Sequence, residues 1–307
     1  MKNIRLGDIQ FLNSWPVTGA IKMGALRRPI TLVSETPARL NQRLLAGELT
    51  ASAISAFKFL EHQDELVPVP GFCIRADGPV ASVLLVSRKP LEKLRDETIG
   101  VSNQGATTPV LLKILLERKK LHPTLETTPL RFPEILDHYP AALLIGDEAL
   151  TANQEIRAGL FGGDPSSLYV WDLGQVWARW TRLPAVFALW AVRRSVAETD
   201  PELPWQVGEI LCDSYEWGLR HERQMLAAMR RAFPWEGTFL MKYLSGLAYE
   251  LDQRAWKGML RYALEAESIG ELPAGSAERF ENRFIRKGRR TLKLKPTYPA
   301  DLAGVFS

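Results

Sequence analysis

A short segment, GATTP at residues 105–109, has residue types that suit the binding of an anion. Thr108 fits the N-cap of a helix and Pro109 its first helical position, where a missing N–H does no harm. Gly105 and Ala106 leave room for a ligand beside the backbone. The helix amides and the hydroxyls of Thr107 and Thr108 would donate to a negative charge there. A capped helix without a ligand explains the same residues equally well.

Four other polar residues lie at the ends of, or inside, apolar runs. Asn13 follows the first predicted strand and can donate or accept, although it cannot act as a base; a turn asparagine is the alternative. Ser55 ends a buried strand, where it could bind a ligand or local backbone. Ser82 lies among apolar residues and must bond either backbone or ligand. Asp147 could orient a ligand, but on its own it is more typical of a helix cap.

The elements that must position these residues follow an α/β order. Short strands are predicted over residues 4–9, 30–33 and 50–54, and a helix over residues 37–46, with Gly47 as its stop signal. Further buried strands are predicted at residues 98–101 and 141–146. Ligand-binding loops are expected at the ends of such strands.

Two long apolar runs, at residues 79–87 and 184–192, resemble each other in composition. We interpret them as paired strands where the chain crosses between two lobes. The first lobe would then comprise residues 1–88 plus 186–275, and residues 89–185 would form an inserted second lobe. A hinge between two α/β lobes places a ligand cleft between them.

The C-terminal third is predicted to be mainly helical. Amphipathic helices are expected over residues 205–231 and 238–267, covering the first lobe. Residues 276–307 hold eight Lys or Arg and three Asp or Glu, so they account for the net charge of +4. We predict a basic, solvated C-terminal extension, because it has little apolar content; a nucleic-acid or membrane role is the alternative.

Composition excludes several classes of protein. The two cysteines do not form a disulfide framework, and no Cys/His cluster indicates zinc. There is neither a signal-peptide core nor an apolar stretch of membrane-spanning length. None of the four histidines lies in a tight apolar loop, and no common catalytic motif is present. We therefore expect a cytoplasmic protein with no metal and no cofactor.

These segments together resemble one family, the chorismate dehydratases of the futalosine route to menaquinone. The similar blocks run in order through residues 4–192: Phe11–Pro16, Leu40-Asn41, Asp77–Leu85, Thr107-Thr108, Leu143–Leu150 and Asp172-Leu173-Gly174. The resemblance implies a two-lobed type 2 periplasmic-binding-protein-like fold. One departure is Arg182, where the family pattern leads us to expect glycine.

The resemblance also implies roles for the residues. Chorismate would be the small anionic carboxylate ligand, bound by Ser55, Ser82, Asn41 and the segment at residues 105–108, with Asp147 beside it. Asn13 would be the catalytic residue that orients the reacting groups. No histidine or lysine stands out as a base, so the enolpyruvyl carboxylate of the ligand is a candidate for that role.

Three other functions remain open at this point. A solute receptor of the same fold would bind without turnover, but a signal peptide would be expected. The sister family that makes dihydroxynaphthoate has a histidine in the segment matching Ile145-Gly146-Asp147, and this chain has none there. A regulatory ligand-binding domain would need a DNA-binding module, and none is expected ahead of the first predicted strand.

Overall fold

A computed structural model describes residues 3–102, 105–160 and 167–286 as an α/β protein with two sheets. Its strands are β1 Ile4–Ile9, β2 Ile30–Glu35, β3 Ala51–Ser55, β4 Leu66–Ala76, β5 Val83–Ser87, β6 Thr98–Ser102, β7 Thr124–Thr128, β8 Ala141–Ile145, β9 Tyr169–Asp172, β10 Ala185–Arg193 and β11 Ala248–Glu250. The sheets divide these strands into two lobes.

The helices connect the strands and cover both sheets. They are α1 Trp15–Lys22, α2 Pro37–Leu45, α3 Ala56–Glu61, α4 Thr107–Glu117, α5 Ile135–His138, α6 Asp147–Ala158, α7 Leu173–Thr181, α8 Arg194–Thr199, α9 Leu203–Arg220, α10 Glu222–Ala232, α11 Gly237–Ser245, α12 Gln253–Ser268 and α13 Ser276–Phe284. No helix in the described ranges is long and apolar enough to span a bilayer.

The first lobe is built on a six-stranded sheet in the order β11-β4-β10-β3-β1-β2. Strand β1 pairs in parallel with β2 and β3, as expected for strands joined through helices. The predicted strands at 4–9, 30–33 and 50–54 are confirmed. Helix α2 is confirmed as well: Leu40 and Leu44 are fully buried, and Gly47 has the left-handed φ of +80° that ends the helix.

The second lobe has a five-stranded sheet in the order β7-β6-β8-β5-β9. Strand β8 pairs in parallel with β6 and antiparallel with β5, so its five residues are all buried. The apolar runs predicted as buried strands at 98–101 and 141–146 are β6 and β8. Both end at the side of the sheet that faces the first lobe.

The predicted pairing of the two long apolar runs is wrong. Strand β5 pairs with β8 and β9 in the second sheet, whereas β10 pairs with β3 and β4 in the first. Each run is apolar because it is an interior strand of its own sheet, and an apolar run indicates burial without indicating a partner. The chain therefore crosses at residues 77–82, ahead of the predicted boundary at 88, and returns before Ala185.

The C-terminal region differs from its prediction in two respects. The two predicted helices are four, because His221 separates α9 from α10 and strand β11 separates α11 from α12. The extension predicted from residue 276 begins with helix α13, whose Phe280 and Phe284 are buried against Trp256. These two aromatic residues supply enough apolar surface for α13 to pack, although the segment is rich in charged residues. Residues 287–307 lie outside the described residues.

Arg182 ends helix α7 in a left-handed conformation, with φ at +60°. That conformation is strained for any residue with a Cβ, which gives a physical reason to expect glycine there. The free energy of unfolding of Arg182→Gly should therefore exceed that of Arg182→Ala by about 1 kcal/mol. Urea unfolding of the wild type and both variants tests this. Equal midpoints for the two variants would show that the backbone at residue 182 is not strained.

Candidate functional site

A cavity, partly open to solvent, lies between the two lobes. Both lobes and the first crossing segment contribute to its lining: Ile9, Phe11, Asn13, Pro37, Ser55, Ile74, Val80, Ser82, Val83, Gly105, Ala106, Thr107, Thr108, Ile145, Gly146, Phe187, Ala188 and Leu247. The walls are mainly apolar, with a few hydroxyl and amide groups, which is typical of a site for a small organic ligand.

Asn13 lies in a 3-10 turn, Leu12–Ser14, directly after β1. Ser14 Oγ fixes this turn by donating to the carbonyl of Ile9 at 2.6 Å. Asn13 Oδ1 is buried and has no hydrogen-bond partner among the described residues. A buried acceptor without a donor costs about 1–3 kcal/mol, so a ligand that donates to Asn13 would relieve a cost already present.

Ser55 is 4% exposed at the end of β3 and faces the cavity. Its backbone N–H donates to Asn41 Oδ1, and Asn41 Nδ2 donates to Ser55 Oγ, both at 3.1 Å. Both ends of the Asn41 amide are thus bonded to Ser55, and Asn41 is not among the residues that line the cavity. Its predicted role in ligand binding stays a prediction. Its buried position on α2 makes it the support of Ser55.

Ser82 lies in the first crossing segment and is 2% exposed. Its hydroxyl accepts a hydrogen bond of 3.0 Å from the hydroxyl of Tyr243, on α11. Ser82 is a predicted site residue, whereas Tyr243 is not. A tyrosine in an amphipathic helix gives no signal that its hydroxyl reaches a segment 161 positions away.

Thr107 connects the two lobes through its hydroxyl and its carbonyl. Its Oγ1 donates to the carbonyl of Phe187 at 3.0 Å and accepts from the N–H of Phe57 at 3.1 Å. Its own carbonyl accepts from Tyr262 at 2.8 Å. These three partners belong to the first lobe, so Thr107 joins the lobes while it also lines the cavity, and its role in ligand binding stays a prediction.

The start of helix α4 also differs from the prediction. The helix begins at Thr107 with Ala106 at the N-cap, and not with Thr108. Thr108 is buried, lines the cavity, and has no hydrogen bond from its hydroxyl to the described residues. A methyl group on Gly105 would come no closer than 3.8 Å to Ile145, so the space beside Gly105 is open. Gly105, Ala106 and Thr108 therefore remain in the candidate site.

Asp147 is the first residue of α6 and does not line the cavity. Its Oδ1 accepts from the N–H of Leu12 at 3.1 Å, which joins the second lobe to the turn that holds Asn13. Burial raises the pKa of the Asp147 carboxyl to about 6, against the opposing effects of the Leu12 N–H and the Lys22 charge. Asp147 therefore makes a contact between the lobes, and its predicted contact with the ligand stays a prediction.

Asp172 fixes the crossing segment that contains Ser82. Its carboxylate accepts from the N–H groups of Val80 and Ala81, at 2.9 and 2.7 Å, and caps α7 through Gln175. Ala81 has a φ of +60°, which these bonds maintain. The sequence block Asp172-Leu173-Gly174 is therefore structural, and it holds the hinge side of the cavity.

The described lining contains no Asp, Glu, His, Lys, Arg, Cys or Tyr side chain. A protein base or metal ligand is thus not among the described residues that face this cavity. A larger surface pocket lies outside the cleft, beside residues 67–71 of β4. Its Arg194 already donates to the carbonyls of Asp64 and Leu66, so its one cation is engaged by the fold.

Comparison with known proteins identifies the family. A family model described as menaquinone biosynthesis matches residues 4–268. A chorismate dehydratase of Thermus thermophilus is 30% identical, over 88% of this chain and 96% of its own length. The chain belongs to the menaquinone biosynthesis family. The relatedness extends over both lobes and therefore over all segments that line the cavity.

Solved structures show the same fold. Protein AF1704 of Archaeoglobus fulgidus has a TM-score of 0.70 at 18% identity, covering 88% of this chain and 98% of its own. The periplasmic aliphatic sulphonate binding protein SsuA of Escherichia coli has a TM-score of 0.65 at 14% identity, covering both chains completely. The expected periplasmic-binding-protein-like fold is confirmed.

The burial of Asp147 predicts a pH-dependent stability. An acid whose pKa is raised from 3.8 to about 6 takes up a proton on folding, so stability rises as the pH falls from 6 toward 4. Asp147→Asn keeps an oxygen that accepts from Leu12 and removes the buried charge. It should be more stable than the wild type by about 2 kcal/mol at pH 7.5 and equally stable below pH 4.

Unfolding by urea at pH 7.5, 6, 5 and 4 measures this difference. Asp96→Asn, which removes an exposed carboxylate from the same lobe, is the matched control. A constant difference between Asp147→Asn and wild type over this pH range would contradict the assignment.

Proposed function

We propose that this protein is a chorismate dehydratase, which eliminates water from chorismate to give 3-[(1-carboxyvinyl)oxy]benzoate. The observation that carries the proposal is the lining of the cleft. It combines hydroxyl donors with an unpaired acceptor, Asn13 Oδ1, and its described part holds no ionisable side chain. The activity of the Thermus thermophilus relative supports the same assignment.

The polar groups of the cavity match those of chorismate, a dianion with one ring hydroxyl. Hydroxyls of Ser55, Ser82 and Thr108 can donate to carboxylate oxygens, and the start of helix α4 favours negative charge. Asn13 Oδ1 can accept from the C4 hydroxyl. The rings of Phe11 and Phe187 supply apolar surface for the cyclohexadiene ring.

The reaction needs a base that the described lining does not provide. The enolpyruvyl carboxylate of chorismate lies next to C3 and can take the C3 proton. The electron pair of the broken C3–H bond is delocalised into the ring and its carboxylate. Breaking of the C4–O bond then restores the pair to the ring as an aromatic product. The departing hydroxide takes the former C3 proton from the enolpyruvyl carboxyl group and leaves as water.

In this mechanism the protein contributes position and electrostatics. Asn13 orients the C4 hydroxyl, and the serine and threonine hydroxyls stabilise the charge that develops on the carboxylates. Closure of the lobes, joined through Thr107 and Asp147, excludes water from the reacting atoms. The proposal places the enzyme in the cytoplasm, in keeping with the free thiols of Cys73 and Cys212.

Incubation with chorismate tests the proposal. Absorbance should report the loss of the cyclohexadiene and the appearance of a benzoate product, and mass spectrometry should show the loss of one water. Binding of chorismate without any conversion would instead indicate a receptor of the same fold. If chorismate is neither bound nor converted, it is excluded as the ligand.

Asn13→Ala tests the role of the unpaired acceptor. We expect kcat to fall about 100-fold, because the hydroxyl loses its orientation, while the affinity for chorismate changes much less. Asn282→Ala, which removes an exposed amide on α13, is the matched control and should keep full activity. Undiminished turnover by Asn13→Ala would remove Asn13 from the reaction.

Thr108→Val and Thr107→Val separate ligand binding from lobe closure. Thr108→Val should raise KM about tenfold, since it removes a donor to the ligand. Thr107→Val should instead lower the melting temperature more than Thr108→Val does, because it leaves the N–H of Phe57 and the carbonyl of Phe187 unpaired. Identical effects of the two substitutions on KM and melting temperature would contradict this division of roles.

A further inference from the structure

The hydroxyl of Tyr243 reaches the cavity lining from helix α11 but does not itself line the cavity. Tyr243 is 6% exposed, and the only hydrogen bond that its hydroxyl makes within the described residues is the 3.0 Å contact with Ser82 Oγ. A phenol is a stronger acid than an aliphatic alcohol and therefore the better donor of the pair. If Ser82 donated instead, the buried phenolic hydrogen would have no recorded acceptor in the described chain.

The direction of this bond determines what Ser82 can do. With its oxygen accepting from Tyr243, the Ser82 hydroxyl has one hydrogen left, and that hydrogen has no recorded acceptor in the described chain. It is therefore available to a ligand in the cavity. We propose that Tyr243 is a positioning residue that fixes Ser82 as a hydrogen-bond donor toward the ligand.

Ser55 is held in the same way from a different element. The backbone N–H of Ser55 must face the oxygen of the Asn41 amide, so the Asn41 nitrogen must face Ser55 Oγ. Ser55 Oγ thus also accepts from a buried donor and keeps its own hydrogen for the cavity. The hydroxyls of Ser55 and Ser82 are therefore both directed as donors toward the cavity, by Asn41 and Tyr243, which lie outside its lining.

The donor direction of the two serine hydroxyls favours a ligand with acceptor groups. Two hydroxyls fixed as donors complement acceptor oxygens such as those of carboxylates, and the Tyr243 bond strengthens the Ser82 donor through polarisation. The inference rests on the proposed function, because it gives Tyr243 a role in binding the carboxylates of chorismate. Tyr243 touches no reacting atom and acts through Ser82 alone.

A double-mutant cycle on turnover tests the proposal. Tyr243→Phe should lower kcat/KM for chorismate about tenfold, since the Ser82 hydroxyl loses its alignment, and Ser82→Ala about 100-fold. In the Ser82→Ala background, Tyr243→Phe should change kcat/KM by less than about twofold. Tyr249→Phe, which removes a buried hydroxyl of strand β11 outside the cavity lining, is the matched control and should leave kcat/KM unchanged.

Equal losses from Tyr243→Phe in both backgrounds would overturn the proposal, because the effect would not pass through Ser82. If the wild type fails to convert chorismate, the proposed function is wrong, but the role of Tyr243 toward Ser82 can still be tested. Melting temperatures of the four ligand-free proteins then decide the contact: the two substitutions should be non-additive, and additive shifts would overturn the donor role of Tyr243.

Discussion

The bonds of Thr107 are the contacts on which the cleft depends. One hydroxyl at the start of α4, in the second lobe, satisfies the N–H of Phe57 and the carbonyl of Phe187, which both belong to the first lobe. Such groups are costly when unpaired, and this makes the closed arrangement of the lobes favourable even before a ligand is bound. Asp147 adds a second tie, at Leu12. Together they bring the helix start of one lobe against the strand ends of the other.

The polar residues around the cavity divide into those that face it and those that hold them. Asn13, Ser55, Ser82 and Thr108 face the ligand space. Asn41, Tyr243 and Asp172 lie behind them and supply bonds that fix hydroxyl direction or backbone position. Such a site acts on its ligand by orienting hydrogen-bonding groups, since its described lining contains no ionisable side chain.

Local sequence patterns predicted the parts of the fold that local physics determines. Strands β1 and β3, helix α2 with Gly47, and the polar residues at their ends follow from apolar runs and stop signals. Strand partners did not follow, because β5 and β10 are equally apolar in different sheets. The sequence did not indicate that Asn41 supports Ser55. Tyr243 was missed, since side-chain contacts across 161 positions leave no local pattern in the sequence.

The unpaired oxygen of Asn13 also bears on how the catalytic cycle ends. In the proposed reaction the substrate offers this oxygen a hydroxyl hydrogen, and the product has lost that hydroxyl. Once the departing water leaves, Asn13 Oδ1 is again a buried acceptor without a donor. Both carboxylates persist in the product, so the serine side of the cavity discriminates little between the two molecules. Asn13 thereby weakens the hold on the product and favours its release when the lobes open.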